Sequence, residues 1–441
     1  MVCLFPLVIN HPESLFNLGL YYLVQDYTCI QCRCFACIFL EINEMKQQGF
    51  FQVLFVLVVL TACGQLTNTI YVPAMSQMAA DLAVEPIRIQ AVMAMYLIPY
   101  GFSQFIYGPL SDRYGRKPLM LVGLMVFVAG SLTASIAQSF ELLLLGSFIQ
   151  GLGTGVGGVM SRTVMRDLYS GLNLQKANSY ISMALIFSPL IAPMLGGIIA
   201  STFGWQACFW FLTGFGVLVW LLVLTGFKET HQHKDGPRMS ALASYKYVFS
   251  HGQFNGFMIT LVATFAGVAV FEAAAGVLFG DLMGLDPKLI SILFVLPIPG
   301  YLAGSWLAGR LAKKHGLETI IGLGIAMLIL GSLSMLLAGL MGYLNIPVVL
   351  IPATLYFLGG GLVFPTATTA ALEPLPNNAG VAGAVLGGMQ NLGAGVVTLV
   401  SSSMPMQNQV PLAAVLCVLT LLVVMIFRLQ LAPAGNRATA Q

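Results

Sequence analysis

From residue 51 onward, long apolar runs alternate with short polar breaks, and each run has about 20 residues or more. A run of this length spans the hydrocarbon core of a bilayer as a helix, at 1.5 Å per residue. The pattern therefore predicts an all-α integral membrane protein with twelve spans. The predicted spans, numbered 1 to 12, are 51–73, 89–110, 118–138, 141–162, 178–200, 205–227, 255–280, 289–310, 318–340, 348–371, 380–402 and 411–430.

The composition agrees with this pattern. Hydrophobic residues make up 58% of the 441 residues and charged residues only 8%, whereas soluble domains carry roughly a quarter charged residues. A water-soluble protein is excluded, and no room is left for a large domain outside the membrane. Membrane lipid is therefore the expected surrounding. A net charge of +3 gives no reason to expect a nucleic-acid partner.

The basic residues are distributed unevenly between the two sides of the membrane. One side has only Arg88 and Lys288 in its connections. The positive-inside rule then places both termini and the loop 228–252 in the cytoplasm, as expected for a multi-pass protein of the bacterial inner membrane. The basic residues of the cytoplasmic side include Lys46, Arg113, Arg116, Lys117, Arg166, Lys176, Lys228, Lys234, Arg238, Lys246, Arg310, Lys313, Lys314 and Arg428.

The loop 228–252 is the only sizeable polar stretch, and it divides the spans six and six. We expect an N-terminal six-helix bundle over 45–227, this loop as a cytoplasmic linker, a C-terminal six-helix bundle over 253–430, and a cytoplasmic tail over 431–441.

A repeat supports this division. The loop Gly108–Lys117 follows span 2, and Gly309–Gly316 follows span 8, with Gly, Leu and Gly at the same spacing 201 residues apart. Duplicated six-span bundles around a central site are a transporter architecture, in which one half rocks against the other.

Residues 1–44 do not fit the pattern. A C-x2-C-x-C-x2-C spacing, formed by Cys29, Cys32, Cys34 and Cys37, could hold zinc through four thiolates. The two pairs are separated by a single residue, which is too short to fold around an ion, and we expect no metal site. Because Met45 begins a short basic opening before span 1, we expect 1–44 to be a non-native or disordered extension from an upstream start codon.

Glu272 is the only acid placed deep in any predicted span, three to four residues past the middle of the apolar part of span 7, Phe257 to Gly280. An ionised carboxylate near the bilayer centre costs roughly 2.5 to 3.5 kcal/mol, so an intramembrane acid suggests function. We expect Glu272 to hold a proton when its surroundings are dry and to release it as a drug arrives. The alternative is a neutral acid that only links helices by hydrogen bonds.

Polar and aromatic residues at helical spacing predict the wall of a substrate cavity. Aromatic rings with a few amides suit flat, amphipathic and varied ligands, although helix packing selects similar residues. The predicted cavity residues are Gln65 and Asn68 in span 1, Tyr96, Tyr100 and Gln104 in span 2, and Gln390 and Asn391 in span 11.

The loop after span 2 resembles the signature of the major facilitator superfamily, Gly-x-Leu-Ala-Asp-Arg-x-Gly-Arg-Lys. A motif in span 5 resembles the Gly-Pro-x-x-Gly-Gly signature of its antiporters. Glu229-Thr230 after span 6 is a further match to these antiporters. A narrower resemblance, to the bacterial drug:proton antiporters of the Bcr/CflA-like group, rests on Gly64-Gln65, Thr69-Ile70-Tyr71, Gln150 to Met160, Phe271-Glu272-Ala273 and Gln390-Asn391. The loop matches at Gly108, Leu110, Asp112, Arg113, Gly115, Arg116 and Lys117, and the span 5 motif comprises Pro189, Ala192, Pro193, Gly196 and Gly197.

This resemblance implies proton-driven export of hydrophobic or amphipathic drugs by a major facilitator fold, with a sealing role for the span 5 motif. One position departs from the pattern of the drug antiporters. Three residues before Gln150-Gly151 these usually carry a buried arginine, and this chain has Ser147.

The signature residues are expected to control access to the cavity. Asp112 can lie at the amino end of a neighbouring helix, and Arg113 or Arg116 can pair with an acid such as Asp167 after span 4. Such contacts would close the cytoplasmic face in one state and break in the other. The alternative, that these charges only orient the chain, does not explain the fixed spacing of Gly108 and Gly115.

Other functions fit less well. A membrane-embedded enzyme would need clustered His, Cys or acidic residues at one depth, and the spans offer none. The spacing Gly153-x-Gly155-x-x-Gly158 lies inside a span, which favours helix packing over a dinucleotide site. An uptake permease for a small solute remains the alternative to export. We expect no cofactor, protons and small amphipathic molecules as partners, and a monomer.

Overall fold

The computed structural model describes residues 49–169, 171–230, 241–375 and 378–431, and some side chains within 171–186 are not described. All regular elements in this part of the chain are helical. The predicted extension 1–44, residues 231–240 of the linker and residues 432–441 of the tail lie outside it.

Every predicted span coincides with a helix, and the predicted all-α fold class is confirmed. In the described residues, eleven helices are long and apolar enough to cross a membrane, and the helix of span 5 contributes a shorter apolar stretch, Phe187–Phe203. In chain order the helices of the spans are Phe50–Thr69, Ala91–Tyr114, Arg116–Ser135, Phe140–Leu168, Gly171–Phe203, Gln206–Gly226, Gly252–Val277, Pro287–Val295 with Ile298–Leu311, Leu317–Leu340, Ile346–Leu372, Ala379–Ser401 and Val410–Leu431.

Three spans are irregular where the two halves of the chain meet. Span 1 continues beyond Thr69 through a 3-10 turn, Val72–Ala74, into the short helix Met75–Asp81. Span 7 ends in a π-helical turn, Leu278–Leu282. Span 8 breaks before Pro297, because a proline inside a helix lacks the backbone donor that the helix needs.

Glycines in span 4 allow three neighbouring helices to approach closely. A Cβ atom at Gly153 would overlap the backbone of Phe127 in span 3, and one at Gly155 would overlap the side chain of Ser103 in span 2. Gly157 lies against the backbone of span 1. Small residues permit such packing in membranes, so the glycine spacing serves helix packing, as predicted.

Glycines also mediate contacts between the first six and last six spans. Gly101 in span 2 lies against the backbone of Leu392 in span 11, and Gly276 in span 7 lies against the end of span 1. Gly197 in span 5 meets Ser291 in span 8. The buried apolar side chains form a main cluster that runs through both sets of spans.

Candidate transport site

A central cavity of about 240 Å³ lies between the two sets of six spans. Spans 1, 2, 4 and 5 contribute to its wall, and so do the equivalent spans 7, 8, 10 and 11. The wall combines aromatic rings with a few amide groups, which suits amphipathic ligands. Its aromatic residues are Tyr100, Phe265, Tyr301, Phe357 and Phe364.

Five of the seven predicted cavity residues line this cavity: Gln65, Tyr100, Gln104, Gln390 and Asn391. They come from spans 1, 2 and 11. The side-chain amide of Asn391 donates to the carbonyl oxygen of Gly387 at 2.8 Å.

Tyr96 and Asn68 do not line the cavity, which corrects the sequence analysis. The Tyr96 hydroxyl donates to the Gly64 carbonyl oxygen at 2.6 Å, and only 1% of the residue is exposed. Tyr96 and Tyr100 share one face of the span 2 helix, and span 1 packs against that face at Tyr96. Asn68 instead faces Glu272, with Nδ2 and Oε2 3.5 Å apart.

Glu272 lines the cavity from span 7 and is 8% exposed. In the described structure no Lys, Arg or His side chain lies within 4.0 Å of its carboxyl group. The Asn68 Oδ1 atom and the buried Tyr71 hydroxyl have no hydrogen-bond partner among the described groups. A protonated Glu272 could donate to such an acceptor, because Asn presents an oxygen as well as an amide.

Arg162 is a cavity residue that the sequence analysis missed. The predicted span 4 ended at 162, but its helix continues to Leu168, so Arg162 lies inside it. Its Nη1 atom donates to the Gly383 carbonyl oxygen at 3.1 Å, and the side chain is otherwise exposed to the cavity. The apolar residues Val164 and Met165, which follow Arg162, were the signal that the helix continues.

A second cavity, here called the vestibule, has a volume of about 610 Å³. It lies at the end of the spans where the loop Gly108–Lys117 is found, here called the signature end. Gly158 and Arg162 line both cavities, so the two meet at this point. The vestibule therefore leads from the central cavity toward the signature end.

The helix Ala241–Phe249 in the linker borders the vestibule. Its Tyr245 hydroxyl donates to the Phe105 carbonyl oxygen at 3.0 Å. Burial, and secondly the nearby Asp112 carboxylate, raise the pKa of Tyr245, so this hydroxyl stays protonated. A Cβ atom at Gly108 would touch the same hydroxyl, so the first signature glycine packs against the linker helix.

Arg116 is the centre of an ion-pair cluster at the signature end. Its guanidinium lies 2.6 Å from Asp112 Oδ1 and 2.9 Å from Asp167 Oδ2, and it also donates to the Ser111 hydroxyl at 2.5 Å. The expected pair between Arg116 and Asp167 is therefore present. The Arg113 guanidinium instead lies over the Tyr114 ring, 5.3 Å from its centroid.

The acid at the amino end of span 3 is Glu229, which corrects the expectation for Asp112. The Glu229 carboxylate accepts hydrogen bonds from the backbone N–H groups of Arg116 at 2.9 Å and Lys117 at 3.0 Å. A carboxylate at this position satisfies helix donors that have no partner inside the helix. Gly115 precedes these donors with φ +97°, a conformation that favours glycine.

The span 5 motif connects the cavity with neighbouring helices. Pro189 lines the cavity, while Ala192 and Pro193 are buried. Gly196 lies against the carbonyl oxygen of Ile70 in span 1, and Gly197 against span 8. The motif therefore lies where spans 1, 5 and 8 meet.

Ser147 does not replace the chemistry of the usual buried arginine. Its hydroxyl donates to the Leu143 carbonyl oxygen of its own helix at 3.0 Å, and the residue is 1% exposed. Such a bond within one helix leaves no donor directed into the cavity.

The chain matches the Major Facilitator Superfamily over residues 57–398. It is 42% identical to Multidrug resistance protein D of Escherichia coli strain K12 over 381 residues, which cover 86% of this chain and 96% of that protein. It is 27% identical to the Bicyclomycin resistance protein homolog of Haemophilus influenzae over 376 residues, 83% of this chain and 93% of that one.

Solved structures show the same fold. The D-xylose-proton symporter superposes with a TM-score of 0.70 at 16% identity, covering 85% of this chain and 97% of that one. The peptide transporter POT gives a TM-score of 0.71 at 15% identity, covering 89% and 97%. The family match covers more than half of the sequence, and the similarity to Multidrug resistance protein D covers nearly all of that relative. The chain is therefore a multi-pass membrane protein that belongs to the Major Facilitator Superfamily.

Proposed function

We propose that this protein exports hydrophobic or amphipathic drugs across the bacterial inner membrane in exchange for protons. The observation that carries the proposal is the position of Glu272, a buried acid on the wall of a cavity to which both halves contribute. The 42% identity to a multidrug resistance protein supports the class of substrate.

Glu272 would couple the two fluxes by changing its protonation state. A carboxylate without a cationic partner is costly in a dry, apolar cavity, so the empty, occluded cavity favours the protonated form. Entry of water and of a polar or cationic drug group from the signature end would stabilise the carboxylate and release its proton. Opening to the other side would then exchange the drug for a new proton.

Residues 45–227 and 253–430 are the two bundles that would rock against each other around this site. The 201-residue repeat and the paired use of spans 1, 2, 4, 5 and 7, 8, 10, 11 in the cavity wall support this division. The distribution of basic residues supports a cytoplasmic signature end, with both termini on that side. Because both six-span halves of one chain contribute to the cavity wall, we propose that the monomer is the transporting unit.

The ion-pair cluster of Arg116, Asp112 and Asp167 would act as part of the cytoplasmic gate. It joins the end of span 2, the start of span 3 and the end of span 4, so a change in their relative positions must break at least one ion pair. Gly108 and Gly115 would allow the close packing of this loop, and Arg113 would contribute positive charge. The span 5 motif would seal the contact between spans 1, 5 and 8 against leak.

A dye-efflux assay tests the proposal in bacterial cells that lack their own drug pumps. Cells that express the protein should accumulate less of an amphipathic dye than cells with an empty vector. An uncoupler that abolishes the proton gradient should remove the difference. Unchanged accumulation would contradict export, and increased accumulation would favour the alternative of an uptake permease.

A further inference from the structure

Two arginines in the transport path have no ionic partner in the described structure. Arg162 lines both cavities, and Arg166 lies one helical turn further on in the vestibule. Among the described residues, neither of these guanidiniums has a carboxylate oxygen within 4.0 Å. Arg162 donates to the Gly383 carbonyl oxygen, and Arg166 Nε to the Arg162 carbonyl oxygen at 3.4 Å.

The acids that face the vestibule compensate these charges only in part. Asp112 and Asp167 are the carboxylates in its described wall, and both are engaged by Arg116. The wall thus holds three guanidiniums and two carboxylates. In the central cavity Glu272 is the described acid, and Arg162 is the described base.

Arg162 and Glu272 lie at different depths. Arg162 is six residues before the end of span 4 at Leu168, or about 9 Å at 1.5 Å per residue. Glu272 is twenty residues after the start of span 7 at Gly252, or about 30 Å from its signature end. A ligand group beside Arg162 would therefore not have to approach the Glu272 carboxyl group.

An arginine that is exposed to a cavity within a membrane span is costly and indicates a function with an identifiable partner. The guanidinium presents five N–H donors in a planar fork, which matches an anion with two or three oxygens. Apolar and aromatic residues line the same central cavity as Arg162, including Tyr100 and Phe364. The site thus offers a cation at the entrance and an apolar surface beyond it.

We propose that Arg162, assisted by Arg166, recognises the anionic head group of an amphipathic substrate, such as a sulfonate or carboxylate, while the apolar part of that substrate occupies the central cavity. This proposal rests on the proposed function, because it names a substrate class for the same cavity. It adds a preference for anions to the expected tolerance for neutral and cationic drugs.

The test compares two fluorescent dyes that differ in one group. 1-Anilinonaphthalene-8-sulfonate carries a sulfonate, and N-phenyl-1-naphthylamine has the same rings without it. Binding of each dye to the purified full-length protein is measured by fluorescence titration in detergent, without a proton gradient. Arg162→Gln should weaken binding of the sulfonate dye about 10- to 100-fold, as expected for a lost charged hydrogen bond. Binding of the neutral dye should change less than about 2-fold, since it makes no such bond.

Arg88→Gln is the matched control. The Arg88 guanidinium lies over the Phe140 ring at the start of span 4, 5.7 Å from its centroid, and lines neither cavity. This variant should bind both dyes as the unmodified protein does. Arg162→Lys should give an intermediate loss for the sulfonate dye, because it keeps the charge but not the planar fork.

If Arg162→Gln does not fold, the anion site is tested by competition between ligands for the unmodified protein. Naphthalene-1-sulfonate should displace the sulfonate dye at lower concentration than naphthalene does. Equal losses for the two dyes in Arg162→Gln, or equal competition by the two naphthalenes, would overturn the anion site. Because no proton gradient is present, the binding measurement is independent of the efflux assay. Efflux that is insensitive to the uncoupler would contradict the proposed function, but it would leave a measured preference for anions intact.

Discussion

Each copy of the loop signature joins two consecutive spans, but the two copies differ in their chemistry. At an offset of 201 residues, Lys313 takes the place of Asp112, and Leu317 takes the place of Arg116. The second copy therefore lacks the residues for the ion-pair cluster of the first. At the same offset Gln430 takes the place of the helix-capping Glu229, and its amide donates to the Gln253 carbonyl oxygen at 3.1 Å.

The glycines differ in the same way. Gly115 has φ +97° and lies against the Glu229 carboxylate, whereas Gly316 has φ −68° and open space where a Cβ atom would lie. Arg310 of the second copy stacks on Trp306, 3.9 Å from the ring centroid. The duplicated loop thus maintains a turn between spans in both halves. The chemistry suited to a gate is confined to the first half.

The largest effect is expected for Gly115→Ala. The new side chain would impose backbone strain at φ +97° and displace the Glu229 carboxylate, which together should cost about 2–4 kcal/mol. Gly316→Ala should be close to neutral. Thermal unfolding of the detergent-solubilised variants measures the difference, and equal Tm values would contradict the asymmetry between the copies.

Arg116→Gln should have the next largest effect. It removes a buried cation and leaves Asp112 and Asp167 without their partner, at a cost of about 1–3 kcal/mol. Arg310→Gln removes an exposed guanidinium and should leave Tm and transport nearly unchanged. A larger loss of Tm in Arg310→Gln than in Arg116→Gln would refute the assignment of the network to the first copy.

Glu229→Gln tests the helix cap by itself. The amide keeps one acceptor oxygen but loses the negative charge at the start of span 3, so we expect a loss of about 0.5–1 kcal/mol. Gln430→Glu in the second copy should bring no comparable gain. Thermal unfolding measures the stability of both variants. An unchanged Tm in Glu229→Gln would show that the charge has no stabilising role at the start of span 3.

Asp112→Asn should have the smallest effect on stability, because 53% of the Asp112 side chain is exposed. A gate weakened by about 0.2–1 kcal/mol would lower efflux by up to about 5-fold with normal membrane insertion. Glu318→Gln, which changes an exposed acid two residues after the second copy, is the control. Efflux from cells with equal amounts of each variant measures the effect, and equal rates would contradict a gating role for Asp112.

The positions of the spans could be predicted from the sequence because each span carries its own hydropathy signal. All twelve spans coincide with helices, including Gly171–Phe203. The ends of the spans were predicted less accurately, because an arginine near the end of an apolar run resembles the boundary of a span. The helix of span 4 extends six residues past Arg162, and this extension places the arginine at the cavity.

The cavity wall could be predicted only in part, because periodicity gives the face of a helix but not the neighbour that covers it. Tyr96 and Tyr100 share a face, yet span 1 covers Tyr96 at Gly64 and leaves Tyr100 at the cavity. The cap by Glu229 joins residues 113 positions apart. A contact of this range follows from the packing of spans 3 and 6, not from local spacing.

Proton exchange by Glu272 is tested most directly in liposomes that contain the purified protein. A drug gradient is imposed without a pH gradient, and proton movement is followed with a pH-sensitive dye. We expect the unmodified protein and Asp281→Asn, at the exposed end of the same span, to move protons as drug crosses. Glu272→Gln should fold normally and show no drug-driven proton movement, whereas undiminished proton movement in this variant would contradict coupling through Glu272.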